Sequence, residues 1–261
     1  MVLPQQRNVP SEEHTLRCQA LCKAARRLVA VTGAGLSVAS GLPTVEADWS
    51  GRPLKELFRA GDARRHVREY QTLYRKLMTA WLSIKPNIGH MILAQRGARI
   101  ITQNIDGLHQ RAGSREIIEL HGSLMRLRCR SCGSVTAASH RGARSVQCRA
   151  CGGQVWPDVV MEGETVRSLT LAVNWISTAD VLLVVGTSLE MDPVNRFPLM
   201  ALRADIPVIV INEDAEVRLF EYLNEETDTW NHNPSEHGRR TSRARGEHSA
   251  RMRRRTSEER T

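Results

Sequence analysis

Residues 99–123 carry the side chains best suited to chemistry. An apolar run, Ile100 and Ile101, empties into Thr102, Gln103, Asn104 and Asp106, and a second, Ile117, Ile118 and Leu120, delivers His121 ahead of Gly122. Two short buried segments thus present an amide, a carboxylate and an imidazole at their ends, and in an open α/β fold ligands sit beyond the carboxyl ends of the strands. Imidazole titrates near neutral pH and suits a general base. The same residues have a plainer use, because Asn and Asp form turns and a loop histidine can be satisfied structurally.

A second constellation is local. Cys129-x2-Cys132 and Cys148-x2-Cys151 are separated by fifteen residues, the spacing of a zinc ribbon in which two thiolate pairs complete a tetrahedron. Gly133 and the Gly152–Gly153 pair follow the two motifs and permit tight turns. Four thiolates leave no place for water, so the zinc is structural. Arg126, Arg128, Arg130, Arg141, Arg144 and Arg149 would also let such a ribbon touch nucleic acid, although little aromatic content is available to stack on bases.

The elements that must position these groups follow from periodicity. Residues 11–28 read as a helix capped by Ser11, with Cys18 and Cys22 one turn apart and better placed for packing than for metal. Leu28–Val31 is a buried strand that breaks on Gly33 and Gly35 before a helix, an arrangement that brings backbone N–H groups close to a phosphate, or else a tight β-to-α connection. Residues 44–61, with Asp48, Trp49, Gly51 and Pro53, read as a loop near the cleft. Residues 62–83 form a basic helix whose inner face is Val67, Tyr70, Leu73, Leu77 and Met78, and a shorter helix starts at Pro86–Asn87 with a structural His90. Val155–Glu164 is extended and residues 165–177 are helical. Asp180–Val185 and Pro207–Ile211 read as central parallel strands, ending in Gly186-Thr187-Ser188 and in Asn212-Glu213-Asp214. Four strands discharging small or polar residues at their carboxyl ends point to a nucleotide crevice.

The bulk numbers set the class. With 261 residues and 41% hydrophobic content, the chain can bury a real core without disulfides. Its N-terminus has no signal-peptide character and no run approaches a membrane span, so the expectation is a cytoplasmic protein with reduced cysteines and no membrane partner. The net charge of +9 comes largely from arginines after residue 238, where the composition is that of disorder; that tail could touch nucleic acid only non-specifically.

With those elements in place, the chain resembles the sirtuin (Sir2) family of NAD-dependent protein deacylases over roughly residues 15–214. The matching pieces are GAGLSVASGLP (33–43), PNIGH (86–90), TQNIDGLH (102–109), ELHG (119–122), the four cysteines, VV-x-x-GE (159–164), GTSLEMDP (186–193) and VIN (210–212). The resemblance implies an α/β fold: a Rossmann-like parallel-sheet NAD domain, residues 11–124 and 156–224, with a small zinc-ribbon domain, 125–155, inserted in it and a basic tail over 225–261. It implies that Gly33, Ala34, Gly35, Ser37, Gly186, Thr187 and Ser188 serve the pyrophosphate or adjacent ribose, and Asn212 and Glu213 the adenosine end. Gln103, Asn104 and Asp106 would orient the nicotinamide end, with His121 as general base on a ribose hydroxyl. Val159, Val160, Gly163 and Glu164 would align an acyl-lysine protein or peptide as an added strand. NAD would be consumed, nicotinamide released and the acyl group passed to ADP-ribose.

The chain also departs from the family pattern. Val45 and Glu46 stand where the family usually has Phe and Arg, which would let water compete or weaken NAD cleavage. Glu162 replaces an aromatic residue and would bring a charge to the peptide channel. No equivalent of the family's last turn and helix follows Asn212, so apolar surface on the NAD domain is expected to be exposed. These departures keep two alternatives open: ADP-ribosyl transfer or NAD hydrolysis on the same fold, and a degenerate NAD-binding or zinc-ribbon interaction protein. A Tyr-x-x-Arg pair that would favour acidic acyl chains is absent, since Tyr70 and Arg75 have the wrong spacing.

Overall fold

The computed structural model describes residues 11–49, 51, 53–59, 67–138 and 147–224. In chain order the elements are α1 (Glu12–Ala24), β1 (Leu28–Thr32), α2 (Ala34–Val38), a 3-10 turn (Leu54–Phe58), α3 (Val67–Leu82), α4 (Ile88–Gln95) and β2 (Arg99–Thr102). They continue with α5 (Leu108–Arg111), β3 (Ile117–Glu119), β4 (Gly122–Cys129), β5 (Val135–Ala137), β6 (Val155–Val159) and α6 (Leu169–Ser177). β7 (Val181–Val185), α7 (Phe197–Arg203), β8 (Val208–Ile211) and α8 (Ala215–Leu223) complete the fold. The basic tail expected over 225–261 lies outside the described residues, as do Arg141 and Arg144.

Five strands form a parallel sheet in the order β3-β2-β1-β7-β8. β1 and β7 are buried at every position and sit at the centre, as continuous apolar runs should in a sheet covered on both faces. β8 is an edge strand, contrary to the central place expected for it. Ile209 and Ile211 point into the core while Val210 is 55% exposed. One face of the sheet packs on α1, α4 and α8 through Cys18, Cys22, Leu93, Leu219 and Tyr222. The other packs on α6 and α7 through Ala172, Ile176, Phe197 and Ala201.

Cys18 and Cys22 are packing residues. Burial pushes both thiols up, Cys22 to about 12, which keeps them protonated. Asn87, rather than Pro86, begins α4: its side chain accepts from the His90 N–H. The expected loss of a closing helix is corrected by α8. It buries Ala215, Leu219, Tyr222 and Leu223, one stripe at helical spacing, directly after β8.

A separate antiparallel sheet, in the order β5-β4-β6, carries the cysteine ribbon, and a third core joins it to α3 and the 3-10 turn. Tyr70, Tyr74, Leu77, Trp156 and Met161 fill that core together with Leu54 and Leu57, so the 44–59 loop is anchored by its own apolar side chains. Within the loop Lys55 Nζ meets Glu46 Oε2 at 2.6 Å, and the Lys55 N–H donates to the Val45 carbonyl. The carboxylate at position 46 therefore has a local counter-charge.

Behind the sheet's carboxyl edge lies a buried polar layer. The Thr32 hydroxyl donates to Thr102 Oγ1 at 2.8 Å and lies 2.9 Å from His109 Nε2; the His109 ring stands 4.9 Å from that of His90. His90 Nδ1–H donates to Asn87 Oδ1, while His90 Nε2 and His109 Nδ1 have no hydrogen-bond partner among the described residues. Burial lowers the pKa of His90 to about 4 and of His109 to about 3. Both rings are neutral in the folded chain, whereas in the unfolded chain they would protonate near 6.5. The unfolded state thus binds more protons between about pH 6.5 and 4, so stability is full above that window and falls as pH drops through it. We predict a loss of about 1 kcal/mol per pH unit for each ring across this window. Urea unfolding at pH 7.5 and pH 5 measures it, and His90→Gln should flatten the dependence.

Candidate functional site

The site forms where β1, β2, β3 and β7 end side by side. Gln103 is the junction. Its N–H donates to Thr32 O, its side-chain Nε2 donates to Thr187 Oγ1 at 2.8 Å, and its carbonyl lies 3.0 Å from His121 Nδ1. A carbonyl can only accept, so His121 carries its proton on Nδ1 and leaves Nε2 as a lone-pair acceptor. Burial lowers the His121 pKa, opposed by the hydrogen bond to Gln103, and the net direction is down. The imidazole is held neutral, in the tautomer and charge state of a base.

Asn104 and Asp106 meet at Ser37. Asn104 Nδ2 donates to Gly33 O at 2.9 Å and to Ser37 Oγ at 3.2 Å, and the Ser37 hydroxyl donates to Asp106 Oδ2 at 2.8 Å. Asp106 Oδ1 accepts the Leu108 N–H, which starts α5. Burial raises the Asp106 pKa despite these two hydrogen bonds. The amide of Asn104 is oriented by donation from its nitrogen. Ser37 thus acts here as a bridge between two polar side chains.

The glycine turns do something different from what their spacing suggests. The N–H groups of Gly33 and Gly35 donate to Val185 O and Gly186 O, so both are used within the chain. What the glycines supply is close approach. Gly186 has φ +60° and a Cβ there would lie 2.2 Å from Leu36 N, so the β1–α2 and β7 turns touch backbone to backbone. Thr187 N–H donates to Asn212 Oδ1 at 3.2 Å, which ties the end of β7 to the end of β8, while Ser188 and Glu213 are exposed. The sequence-predicted residues Gly33, Ala34, Gly35, Ser37, Gln103, Asn104, Asp106, His121, Gly186, Thr187, Ser188, Asn212 and Glu213 therefore lie at one edge of the sheet. A narrow glycine-walled turn with amide, hydroxyl and carboxylate groups beside it fits a dinucleotide.

The segment after β6 passes the imidazole. Val160 N–H donates to His121 O at 2.9 Å, and Glu162 N–H donates to Phe58 O at 2.7 Å. Val159 is buried in the third core and supports this segment from behind; Gly163 and Glu164 are exposed. The Glu162 side chain is 71% exposed with Arg59 3.8 Å away, so its charge lies in water.

The four cysteine sulfurs lie within 4.8 Å of one another. Cys129 and Cys151 are 3.6 Å apart, and Cys132 and Cys148 are 3.7 Å apart. A tetrahedral zinc with bonds of about 2.3 Å sets its ligands about 3.8 Å apart. N–H groups of Ser131, Ala150 and Gly153 point at Cys129, Cys148 and Cys151. The Ser134 hydroxyl and nearby amides lower the Cys148 thiol to about 6. Against the Gly153 N–H, the neighbouring sulfurs push Cys151 up to about 12, so four thiolates at once call for a cation, and this donor set fits zinc.

Sequence reading missed the polar layer under the site and the partners of the ribbon arginines. Two threonines at the ends of adjacent strands, Thr32 and Thr102, were the available signal for the first. Arg126 and Arg128, read as possible nucleic-acid ligands, instead pair with Glu119 and Asp158 at 2.6 Å.

Comparison with known proteins agrees with this geometry. The Sir2 family profile matches residues 33–193. An NAD-dependent protein deacetylase of Chromobacterium violaceum is 39% identical over 204 residues, spanning 74% of this chain and 84% of the relative. An NAD-dependent protein deacylase 2 of Pyrobaculum aerophilum is 39% identical over 204 residues, spanning 74% and 82%. A solved Sir2 homologue in complex with NAD superposes with a TM-score of 0.73 at 28% identity, covering 82% of this chain and 93% of that one. A mutant Sir2 homologue in complex with 2'-O-acetyl ADP ribose superposes at 0.69 and 32% identity, covering 77% and 84%.

Two outcomes test the site. Gly186→Ala forces backbone atoms apart, and titration calorimetry should show NAD affinity reduced at least about tenfold, with a lowered Tm from overpacking. Purified protein should contain one zinc per chain by elemental analysis. Cys148→Ser or a strong chelator should remove it and change the fluorescence of Trp156, whose ring lies 4.7 Å from the Arg130 guanidinium.

Proposed function

The chain belongs to the Sir2 family, and from that premise we infer that it is an NAD-dependent protein-lysine deacylase, a transferase that takes an acyl group from lysine to ADP-ribose with release of nicotinamide. The observation that carries this reading is His121, neutral and fixed through Nδ1 on Gln103 O, beside the glycine-walled turns. Bound NAD supplies the acceptor for the acyl group. Gly33, Ala34, Gly35, Ser37, Gly186, Thr187 and Ser188 would hold its phosphates and adjoining ribose, and Asn212 and Glu213 its adenosine end. Gln103, Asn104 and Asp106 orient the reacting end, and His121 Nε2 accepts a proton from a ribose hydroxyl. Val160, Gly163 and Glu164, backed by Val159, would take an acyl-lysine peptide as an added strand.

We assign residues 125–155 to a ribbon domain whose structural zinc is held by Cys129, Cys132, Cys148 and Cys151, inserted between 11–124 and 156–224. No helix among the described residues is long and apolar enough to cross a membrane. A four-thiolate site fits a reducing compartment, and we read the protein as cytoplasmic. The arginines after residue 238 would add polyanion contacts without sequence preference.

Nicotinamide release measured with and without an acetyl-lysine peptide tests the reading. Release should require peptide, and His121→Ala should reduce it by about a hundredfold or more. Burial favours neutral imidazole, so the acid limb of the rate should lie below about pH 6.5. Release indifferent to peptide would replace deacylation by NAD hydrolysis or ADP-ribosyl transfer, for which the half-exposed Val45 is the motive. Absence of NAD binding by folded, zinc-loaded protein would leave an interaction module.

A further inference from the structure

Asp158 on β6 is a carboxylate with 1% of its side chain exposed and three guanidinium partners. Its Oδ1 accepts from Arg128 Nε at 2.6 Å and pairs with Arg167 Nη1 at 2.7 Å, and its Oδ2 accepts from Arg126 Nε at 3.1 Å. Arg167 Nη1 also donates to the Asp158 main-chain carbonyl at 3.4 Å. Burial would push this carboxyl up; the three arginines overrule it and hold it below its ordinary range. None of these residues touches the glycine turns, and the acyl-transfer chemistry does not call on them.

Arg126 and Arg167 make second contacts to the segment around His121, while Arg128 Nη1 donates to Gly133 O in the ribbon at 3.3 Å. Arg126 Nη1 donates to Glu119 Oε2 at 2.6 Å, two residues before the imidazole. Arg167 N–H donates to Leu120 O at 3.0 Å, one residue before it. On the other side Gly122 pairs with Val159 across β4 and β6, and Ser123 pairs with Asp158 itself. Gly122 has φ +77°, and a Cβ there would lie 2.0 Å from the Asp158 carbonyl oxygen, so the strands meet with no side chain between them. His121 O accepts from Val160 N–H, two residues beyond Asp158.

Arg126 and Arg128 lie on β4, the strand that starts at Gly122 and ends at the zinc-ligand candidate Cys129; β6 returns from the ribbon to Asp158. We propose that Asp158 is the positioning residue for His121: through Arg126, Arg128 and Arg167 it locks the Glu119–Gly122 backbone to the ribbon strands and so fixes the imidazole against Gln103. This rests on the reading of His121 as the base. It also makes the ribbon's order a condition of the imidazole's placement, because both strands that carry the lock run into the cysteine site.

The charged groups on the elements around His121 are Glu119, Arg126, Arg128, Asp158 and Arg167, which pair with one another, and Glu164, whose carboxylate accepts from Met161 N–H. Burial lowers the His121 pKa and the hydrogen bond to the Gln103 carbonyl opposes it; no charged side chain is among the causes. A change in its titration therefore reports its position and solvation.

The test uses full-length, zinc-loaded Asp158→Asn. The shape is kept and the counter-charge removed. We expect kcat to fall at least about tenfold with KM for NAD within about twofold, at unchanged zinc content. In NMR titration the His121 ring, assigned by its absence in His121→Ala, should move up toward about 6.5 as the ring gains water. If Asp158→Asn does not fold, Arg167→Lys is read by the same two measurements; it keeps the charge and the Leu120 main-chain bond but loses the planar fork. A folded, zinc-loaded variant with parental kcat and parental His121 titration overturns the proposal. Retained turnover in His121→Ala overturns the base reading instead, and the NMR titration still reports whether Asp158 holds the ring.

Discussion

The carbonyl of Gln103 is the acceptor on which the site depends. It selects the His121 tautomer, and it can do so only because the same residue is pinned by its own N–H to Thr32 and by its side chain to Thr187. Three strand ends are thereby fixed relative to one imidazole. The bonds are ordinary in length, and each alone would contribute about 1 kcal/mol. Their value lies in convergence, since a base 1 Å out of place loses much of its effect.

That convergence needs the strand ends to be close, and the polar layer beneath them shows how. Thr32 and Thr102 face each other across β1 and β2, and Asn104 N–H returns to Thr102 Oγ1 at 3.0 Å. The hydroxyls take the place of the apolar side chains found deeper in the same strands. His90 and His109 extend the layer between α4 and α5, at the cost of two buried nitrogens without partners. The protein accepts a pH-sensitive interior under its site. Above about pH 6.5 the rings are neutral in both folded and unfolded chains, so the protonation-linked loss of stability vanishes while the desolvation of the two nitrogens stays.

The legible parts of the sequence were those whose geometry is local. Cysteine pairs two residues apart must turn back on themselves, and continuous apolar runs such as Val181–Val185 must be covered on both faces, so the ribbon and the central strands follow from spacing alone. His121, Asn104 and Asp106 could be named as candidates for the same reason. Their working states could not, because the tautomer of His121 is set by a carbonyl eighteen residues away and Asp106 is buried by Ser37, sixty-nine residues earlier. The partner of Arg128 was not legible for a related reason, because Asp158 reaches it from thirty positions away. That Gly33 and Gly35 donate their N–H groups to Val185 and Gly186 was not legible, because those acceptors arrive from the far half of the chain.

The end of the fold shows how little extra chain the site requires. β8 passes through Asn212 straight into α8, whose Ala215, Leu219, Tyr222 and Leu223 were present as a helical stripe in the sequence. The helix covers one face of the sheet, and among the described residues of β8 Val210 is exposed. The Thr187 N–H to Asn212 Oδ1 bond joins the ends of β7 and β8. On the proposed reading, the glycine-walled turns and the Gln103–Asn104–Asp106 side are the groups that would hold a dinucleotide. Those are the groups the rest of the structure spends its close packing and its buried polar layer on holding still.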